Sequence, residues 1–246
     1  MTEAAQQGLA DGHSVRFLLP RRALRGAAGS QLGLRGGESL EFHDYRDYTP
    51  GDDLRNLDWN VLARTDREVI RIRREEIAPV IEVLRDRSAS METPPAKAAA
   101  ADYLFGLLTS AAPTCRVIER DLPRTPHAVR LLISDLLTDE DPESRLNRLA
   151  HQAATLIVIR ILSREEVSPP SGGAFEFTDS ETGEVREMVL DATTREQYLD
   201  ALSTHTARWI AAARRHGATF IDLVAEDPHE TIISELARLG IVEGIR

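Results

Sequence analysis

From residue 77 onward the chain alternates between two patterns. Near-continuous apolar runs, "IAPVIEVL", "VRLLIS", "TLIVIRIL" and "ATFIDLV", are separated by longer segments of helical periodicity. Those segments are "PPAKAAAADYLFGLLTSAA", with prolines in its first turn, "PESRLNRLAHQA", "TREQYLDALSTHTARWIAAARRHG", ended by Gly217, and "PHETIISELARLG". Strands apolar on both sides, joined through helices, predict a parallel sheet covered on both faces. One segment departs from the rhythm. "AFEFTDSETGEVREMVLD" alternates on either side of "SETGE" and predicts a hairpin turning at Gly183.

Upstream the pattern is different. Residues 1–14 are small and polar and predict a frayed tail. "PRRALRGAAGSQLGLRGGES" is rich in Arg and Gly, so residues 1–40 are expected to be a flexible basic segment. Residues 41–76 are dense in charge yet contain Phe42, Tyr45, Tyr48 and Trp59. Disordered segments are poor in aromatics, so this block is expected to fold with its polar groups paired among themselves. "TPGDD" predicts a turn at Pro50 and Gly51, and "EVIRIRRE" a strand with one buried face. Three regions result: 1–40, 41–76 and an α/β domain over 77–246. The charged block is expected to pack on that domain, since it is too small for a core of its own.

Composition narrows the functions. The 246 residues are 42% hydrophobic and 28% charged, enough for a packed core. Net charge is −10. Acidic and basic residues balance before residue 76, so the excess of acids lies beyond it, and nucleic-acid binding is disfavoured. No run of about 18 apolar residues exists, so no membrane span is predicted. The N-terminus lacks the basic-then-apolar form of a secretory signal, and a cytoplasmic location is expected. Cys115 is the only cysteine, which excludes an intramolecular disulfide and a cysteine metal cluster. Lys97 is the only lysine among 30 Lys and Arg residues. It follows "TPPA" rather than a Gly-rich turn, so no ATP-binding phosphate loop is present.

The candidate chemistry lies where strands end. Asp86 follows "IAPVIEVL" and Asp135 follows "VRLLIS". In a doubly wound sheet both face the crevice beyond the carboxyl ends of the strands. Ser88 and Ser90 place two hydroxyls on the same turn as Asp86. Carboxylate and hydroxyl oxygens suit a hard divalent cation, but Ser and Asp ahead of a helix are also ordinary caps. The turn reads as a metal site, a helix cap, or both. Arg85 and Arg87 flank Asp86 and are able to pair with it in place of a cation, or to receive an acidic group from a partner.

Asp-x-Ser-x-Ser, followed by Met91 and a helix, resembles the metal-ion-dependent adhesion site (MIDAS) of von Willebrand factor A domains. The block "EFHDYRDYTPGDDLRNLDWNVLARTDREVIRIRREE" resembles the signature of the bacterial domain-of-unknown-function-58 (DUF58) family. The matching positions are Glu41, Phe42, Tyr45, Arg46, Asp47, Tyr48, Pro50, Gly51, Asp52, Asp53, Arg55, Asp58, Trp59, Ala63, Arg64, Thr65 and Asp66. The resemblance implies a Rossmann-like, von Willebrand A-type sheet flanked by helices. It also implies a protein-binding, non-catalytic adaptor that works with MoxR-type AAA+ ATPases in assembling or activating other proteins. Asp86, Ser88, Ser90 and Asp135 would then hold a weakly bound or absent magnesium. The chain departs from the pattern in being short between residues 112 and 128, where the family's threonine ligand is expected; Thr114 and Thr125 are the threonines there. The alternative is a metal-dependent hydrolase using Asp86 and Asp135 to activate water.

Overall fold

A computed structural model describes residues 1–18, 40–75 and 80–245, with only the backbone for 40–45 and 71–75. Along the chain run α1 (Glu3–Gly12), β1 (Val15–Phe17), β2 (Leu40–Asp47), a 3₁₀ turn (Leu54–Asn56), α2 (Trp59–Thr65) and β3 (Val69–Glu75). Then come β4 (Val80–Arg85), α3 (Ala89–Glu92), α4 (Pro95–Ala111), β5 (Arg116–Arg120), β6 (Val129–Ser134), α5 (Pro142–Ala150) and β7 (Thr155–Leu162). The chain closes with α6 (Arg164–Val167), β8 (Gly173–Thr178), β9 (Val185–Leu190), α7 (Ala192–Arg215), β10 (Thr219–Val224), α8 (His229–Arg238) and β11 (Val242–Gly244). Contacts divide the chain into two compact units, Met1–Ala28 with Pro79–Arg246, and Gly29–Ala78.

The larger unit is built on a five-stranded sheet in the order β10-β7-β6-β4-β5, every neighbouring pair parallel. Numbered by their sequence within the sheet, the strands run 2-1-3-4-5, which is a doubly wound, Rossmann-like α/β arrangement. The strand order reverses between β4 and β6. Alternate residues feed two cores. Ile81, Val83, Leu131 and Ile133 pack with Leu104 and Leu107 of α4, while Leu84, Leu132 and Val158 pack with Leu146 of α5 and Trp209 of α7. Each such fully buried aliphatic side chain contributes about 1.5–3 kcal/mol. The hairpin β8–β9 forms as expected, with Gly183 at φ 72° in its turn. No helix of the described residues is long and apolar enough to cross a membrane.

Two expectations are corrected. Residues 1–14 are not a frayed tail, and residues 15–17, expected within the flexible segment, form β1. Helix α1 lies so close to α4 that a Cβ on Gly8 would sit 2.1 Å from the Tyr103 carbonyl oxygen, and one on Gly106 would sit 2.2 Å from that of Ala5. Tyr103 Oη donates to Asp11 at 2.9 Å and Ser110 Oγ to the Leu9 carbonyl at 2.6 Å. Strand β1 then pairs antiparallel with β11. The remainder of the expected flexible segment, residues 19–39, lies outside the described residues.

The second concerns residues 112–128, expected to be short and assigned no element from the sequence. They contain β5, which adds to the sheet beside β4. No helix among the elements links β5 to β6; residues 121–128 make the connection as a loop. Helix-free backbone needs other partners for its polar groups, and two buried strand charges supply them. Glu82 of β4 accepts from the N–H groups of Arg124 and Thr125, and Arg130 of β6 donates to the Thr125 carbonyl at 3.1 Å.

In the smaller unit β2 and β3 form an antiparallel pair. Charged groups of the family motif pair with each other there. Arg46 grips Asp52 with both terminal nitrogens, at 2.6 and 2.5 Å, and Asp52 also accepts from Thr49 N–H. The Arg46 guanidinium thereby holds the Asp52 carboxyl well below the usual carboxylate range. Gly51 takes φ 108° in the expected turn. Asp53 accepts from Arg55 N–H, and Asp58 caps α2 through Asn60 N–H and Val61 N–H. Tyr48 N–H pairs with the Glu68 carbonyl, and Trp59, Ala63 and Arg64 lie on α2. The side chains of Glu41, Phe42 and Tyr45 lie outside the described residues.

Candidate functional site

Asp86 is the first residue after β4 and Asp135 the first after β6, so both stand at the carboxyl edge, at the point where strand order reverses. This is the place where open α/β sheets bind ligands. A cleft of about 860 Å³ opens there, and Asp86, Arg87, Ser88, Ser90, Asp135 and Arg145 line it.

The turn after β4 is locked to the sheet. Asp86 N–H donates to the Ile133 carbonyl at 2.8 Å. One Asp86 oxygen accepts from Ser88 N–H at 3.0 Å, closing the tight turn, and the other accepts from Ser134 Oγ at 2.5 Å. Ser88 stands at the N-cap of α3 without a side-chain capping bond; its hydroxyl instead meets that of Ser90 at 3.0 Å. Burial by itself would raise the Asp86 carboxyl. The hydrogen bonds from Ser134 and Ser88, with the Arg145 guanidinium at 3.6 Å, outweigh it and hold the carboxyl below its ordinary value.

Arg145, on α5, was not foreseen as the cation beside Asp86. The flanking arginines do not fill that role. Arg85 turns away to pair with Asp102 of α4 and donates to the Ala98 carbonyl at 3.2 Å, leaving it mostly covered. Arg87 pairs with Glu119 of β5 at 2.6 Å and stays exposed at the cleft. Successive residues at a strand end face opposite ways, which is why neighbours of Asp86 in sequence are not its neighbours in space.

Asp135 is matched differently. Its Oδ2 accepts from Lys97 Nζ at 3.0 Å and its Oδ1 from Leu137 N–H at 3.1 Å. Lys97, on the first turn of α4, is 0% exposed. The same ammonium donates to Glu166 at 2.6 Å and to the Ser90 carbonyl at 3.1 Å. Glu166 is itself fixed by a capping box with Ser163. Sequence reasoning treated Lys97 only as evidence against a phosphate loop. Its isolation in an arginine-rich chain was the available signal.

The donor set meets only part of what a divalent cation requires. The Ser88 and Ser90 hydroxyls, 3.0 Å apart, match the separation of adjacent ligands around a magnesium with bonds of about 2.0–2.1 Å. The second carboxylate does not fit, because both Asp135 oxygens are already engaged. Among the described residues no group of three or more His, Cys, Asp or Glu side chains is placed to hold a metal ion. Neither Thr114 nor Thr125 lines the cleft; the threonine that does is Thr138. A cation shared by Asp86 and Asp135 is therefore not supported by this arrangement.

Fold and site define a Rossmann-like α/β protein with a strand-end cleft in which Asp86 and Asp135 are each matched to a cation of the chain itself. The family model described as "Protein of unknown function DUF58" matches residues 44–113 and 111–208, and the chain belongs to this family. It is similar to the uncharacterized protein Rv1480 of Mycobacterium tuberculosis and the uncharacterized protein Mb1516 of Mycobacterium bovis. Each is 28% identical over 251 aligned positions that cover 79% of this chain and 78% of the relative. No solved structure matches.

Proposed function

We propose that this protein is a non-catalytic adaptor with a von Willebrand A-like domain, and that its strand-end cleft docks an acidic group of a protein partner. The family resemblance implies that the partner is a MoxR-type AAA+ ATPase, met in the cytoplasm. The observation that carries the reading is a carboxylate already resting on the turn. Glu181, from the hairpin between β8 and β9, accepts from Ser90 N–H at 3.2 Å and lines the same cleft. Ser88, Ser90 and Arg87 offer further donors beside it. The side-chain chemistry favours binding over catalysis. The Ser88 hydroxyl is bonded to another hydroxyl rather than to a base, and burial pushes the Cys115 thiol up, away from a reactive thiolate. The hydrolase alternative needs Asp135 on a water-activating cation, and Asp135 is spent on Lys97.

The test is recovery of the tagged protein from native cells with identification of any co-purifying ATPase. Its affinity is then measured for wild type, Asp86→Ala, Ser88→Ala and Arg87→Ala, with and without EDTA. Removing one side of an interfacial charge pair should weaken binding on the order of tenfold. EDTA should leave wild-type binding unchanged. Equal binding by all four proteins would move the docking surface away from this cleft.

A further inference from the structure

Lys97 occupies a position that ordinary helix energetics disfavour. It is in the first turn of α4, where the helix dipole repels a positive charge, and its side chain is wholly removed from water. Burying an ammonium is tolerable only when every proton finds an acceptor and the charge is matched. Both conditions are met. Its three N–H donors have three acceptors, the Asp135 carboxylate, the Glu166 carboxylate and the Ser90 carbonyl. These come from three different segments: the loop after β6, helix α6 following β7, and the short helix α3 following β4. Two carboxylates and a carbonyl converging from separate strand ends are the ligand set that would be offered to a hard cation.

We propose that the Lys97 ammonium is the resident cation of this strand-end site. It ties the three segments together and makes the site independent of divalent metal. The proposal does not depend on which partner the cleft binds. Removing the ammonium while leaving space should turn its acceptors into a metal site. The acceptors lie 2.6–3.1 Å from Nζ, closer to the 2.3–2.6 Å of calcium than to the 2.0–2.1 Å of magnesium. Calcium should therefore be the better occupant of the emptied position.

The experiment uses the full chain as wild type, Lys97→Ala, Lys97→Met and Asp135→Asn, with thermal unfolding and calorimetric titration of calcium and magnesium. Wild type should show no Asp135-dependent binding of either ion and no change in melting midpoint. Lys97→Ala should melt lower, recover with calcium more than with magnesium, and bind calcium at least on the order of tenfold more tightly than wild type. Lys97→Met fills the space with an uncharged chain, and should melt lower without recovery. Divalent binding by wild type that Asp135→Asn abolishes would overturn the proposal. So would a folded Lys97→Ala protein indifferent to calcium. Should Lys97→Ala fail to fold even with calcium, the wild-type and Asp135→Asn titrations decide alone.

Discussion

Strands β4 and β6 hold buried charge in two places, and the two are finished differently. Toward the amino ends of the strands, Glu82 and Arg130 are cross-strand neighbours, 0% and 4% exposed. Arg130 spends its donors on Glu82 and on the carbonyls of Thr125, Leu149 and His151. This pair faces the loop that replaces a crossover helix, and backbone groups close it off. At the strand ends, Asp86 and Asp135 are also matched to cations, but the cleft exposes the turn around them. The contrast teaches how to sort ionic clusters in a sheet. One saturated by backbone is a brace for an irregular segment. One that opens onto the switch point of the strand order is placed to meet a ligand.

The sharpest way to break this comparison is at the brace. Arg130→Ala leaves Glu82 buried with two backbone N–H donors and, as its remaining cation, the partly exposed Arg120 3.4 Å away. Removing one partner of a buried pair costs about 3–5 kcal/mol, read as a lower midpoint in chemical denaturation. Lys97→Met should cost less, because Asp135 keeps the Leu137 N–H, and Glu166, 24% exposed, keeps the Ser163 N–H and already meets water. A larger loss for Lys97→Met than for Arg130→Ala would invert the assignment of brace and site.

Acid should separate the same two places with a smaller effect. Burial would raise the Glu82 carboxyl, but hydrogen bonds from Thr125, Arg124 and Arg130 outweigh it and lower it below 4.5. Asp86 is likewise lowered below 3.8. In both cases the unfolded chain takes up protons at a higher pH than the folded one. Their stabilisation is thus complete above those ordinary values and disappears as pH falls through the lower, folded values. Asp86→Asn should flatten the acid limb of stability against pH in this window. Unfolding followed from neutral pH downward checks it; an acid limb unchanged by Asp86→Asn would mean Asp86 contributes nothing to folding.

The large unit's framework was legible because its strands are apolar on both sides and its main helices begin at prolines or capping residues, with Gly217 and Gly240 closing the last two. From that, the placing of Asp86 and Asp135 at one edge follows, since each is the first residue after a buried run. Helix α1 was not legible. Its contact with α4 is made through the absence of side chains at Gly8 and Gly106 and through hydroxyl-to-backbone bonds, none of which leaves an apolar stripe. Strand β5, "RVIER", has only Val117 and Ile118 as apolar residues, set between charges, because it lies at the sheet edge, and it reads as loop. The cations were missed for a further reason. Arg145 and Lys97 reach Asp86 and Asp135 from helices distant in sequence, whereas adjacency suggested Arg85 and Arg87.

The smallest expected effect on stability is at Arg87, and it isolates binding from folding. Its side chain is 60% exposed, and its partner Glu119 lies on the edge strand β5. An ion pair so exposed contributes about 0–1 kcal/mol, and salt screens it further. Arg87→Ala should therefore leave the melting midpoint nearly where it was, with the fold intact by circular dichroism. Yet Arg87 lines the cleft, and its guanidinium is the most accessible cation flanking Asp86. A guanidinium that exchanges one carboxylate for another needs no metal and little rearrangement, so an acidic group from a partner could take over from Glu119. Glu119→Gln then makes the reciprocal change: it frees Arg87 without removing it. If the cleft docks an acid, Arg87→Ala weakens the partner and Glu119→Gln leaves it unchanged or strengthens it, both at wild-type stability. If both variants bind as wild type does, Arg87 is only a surface pair, and recognition rests on the Ser88–Ser90 turn.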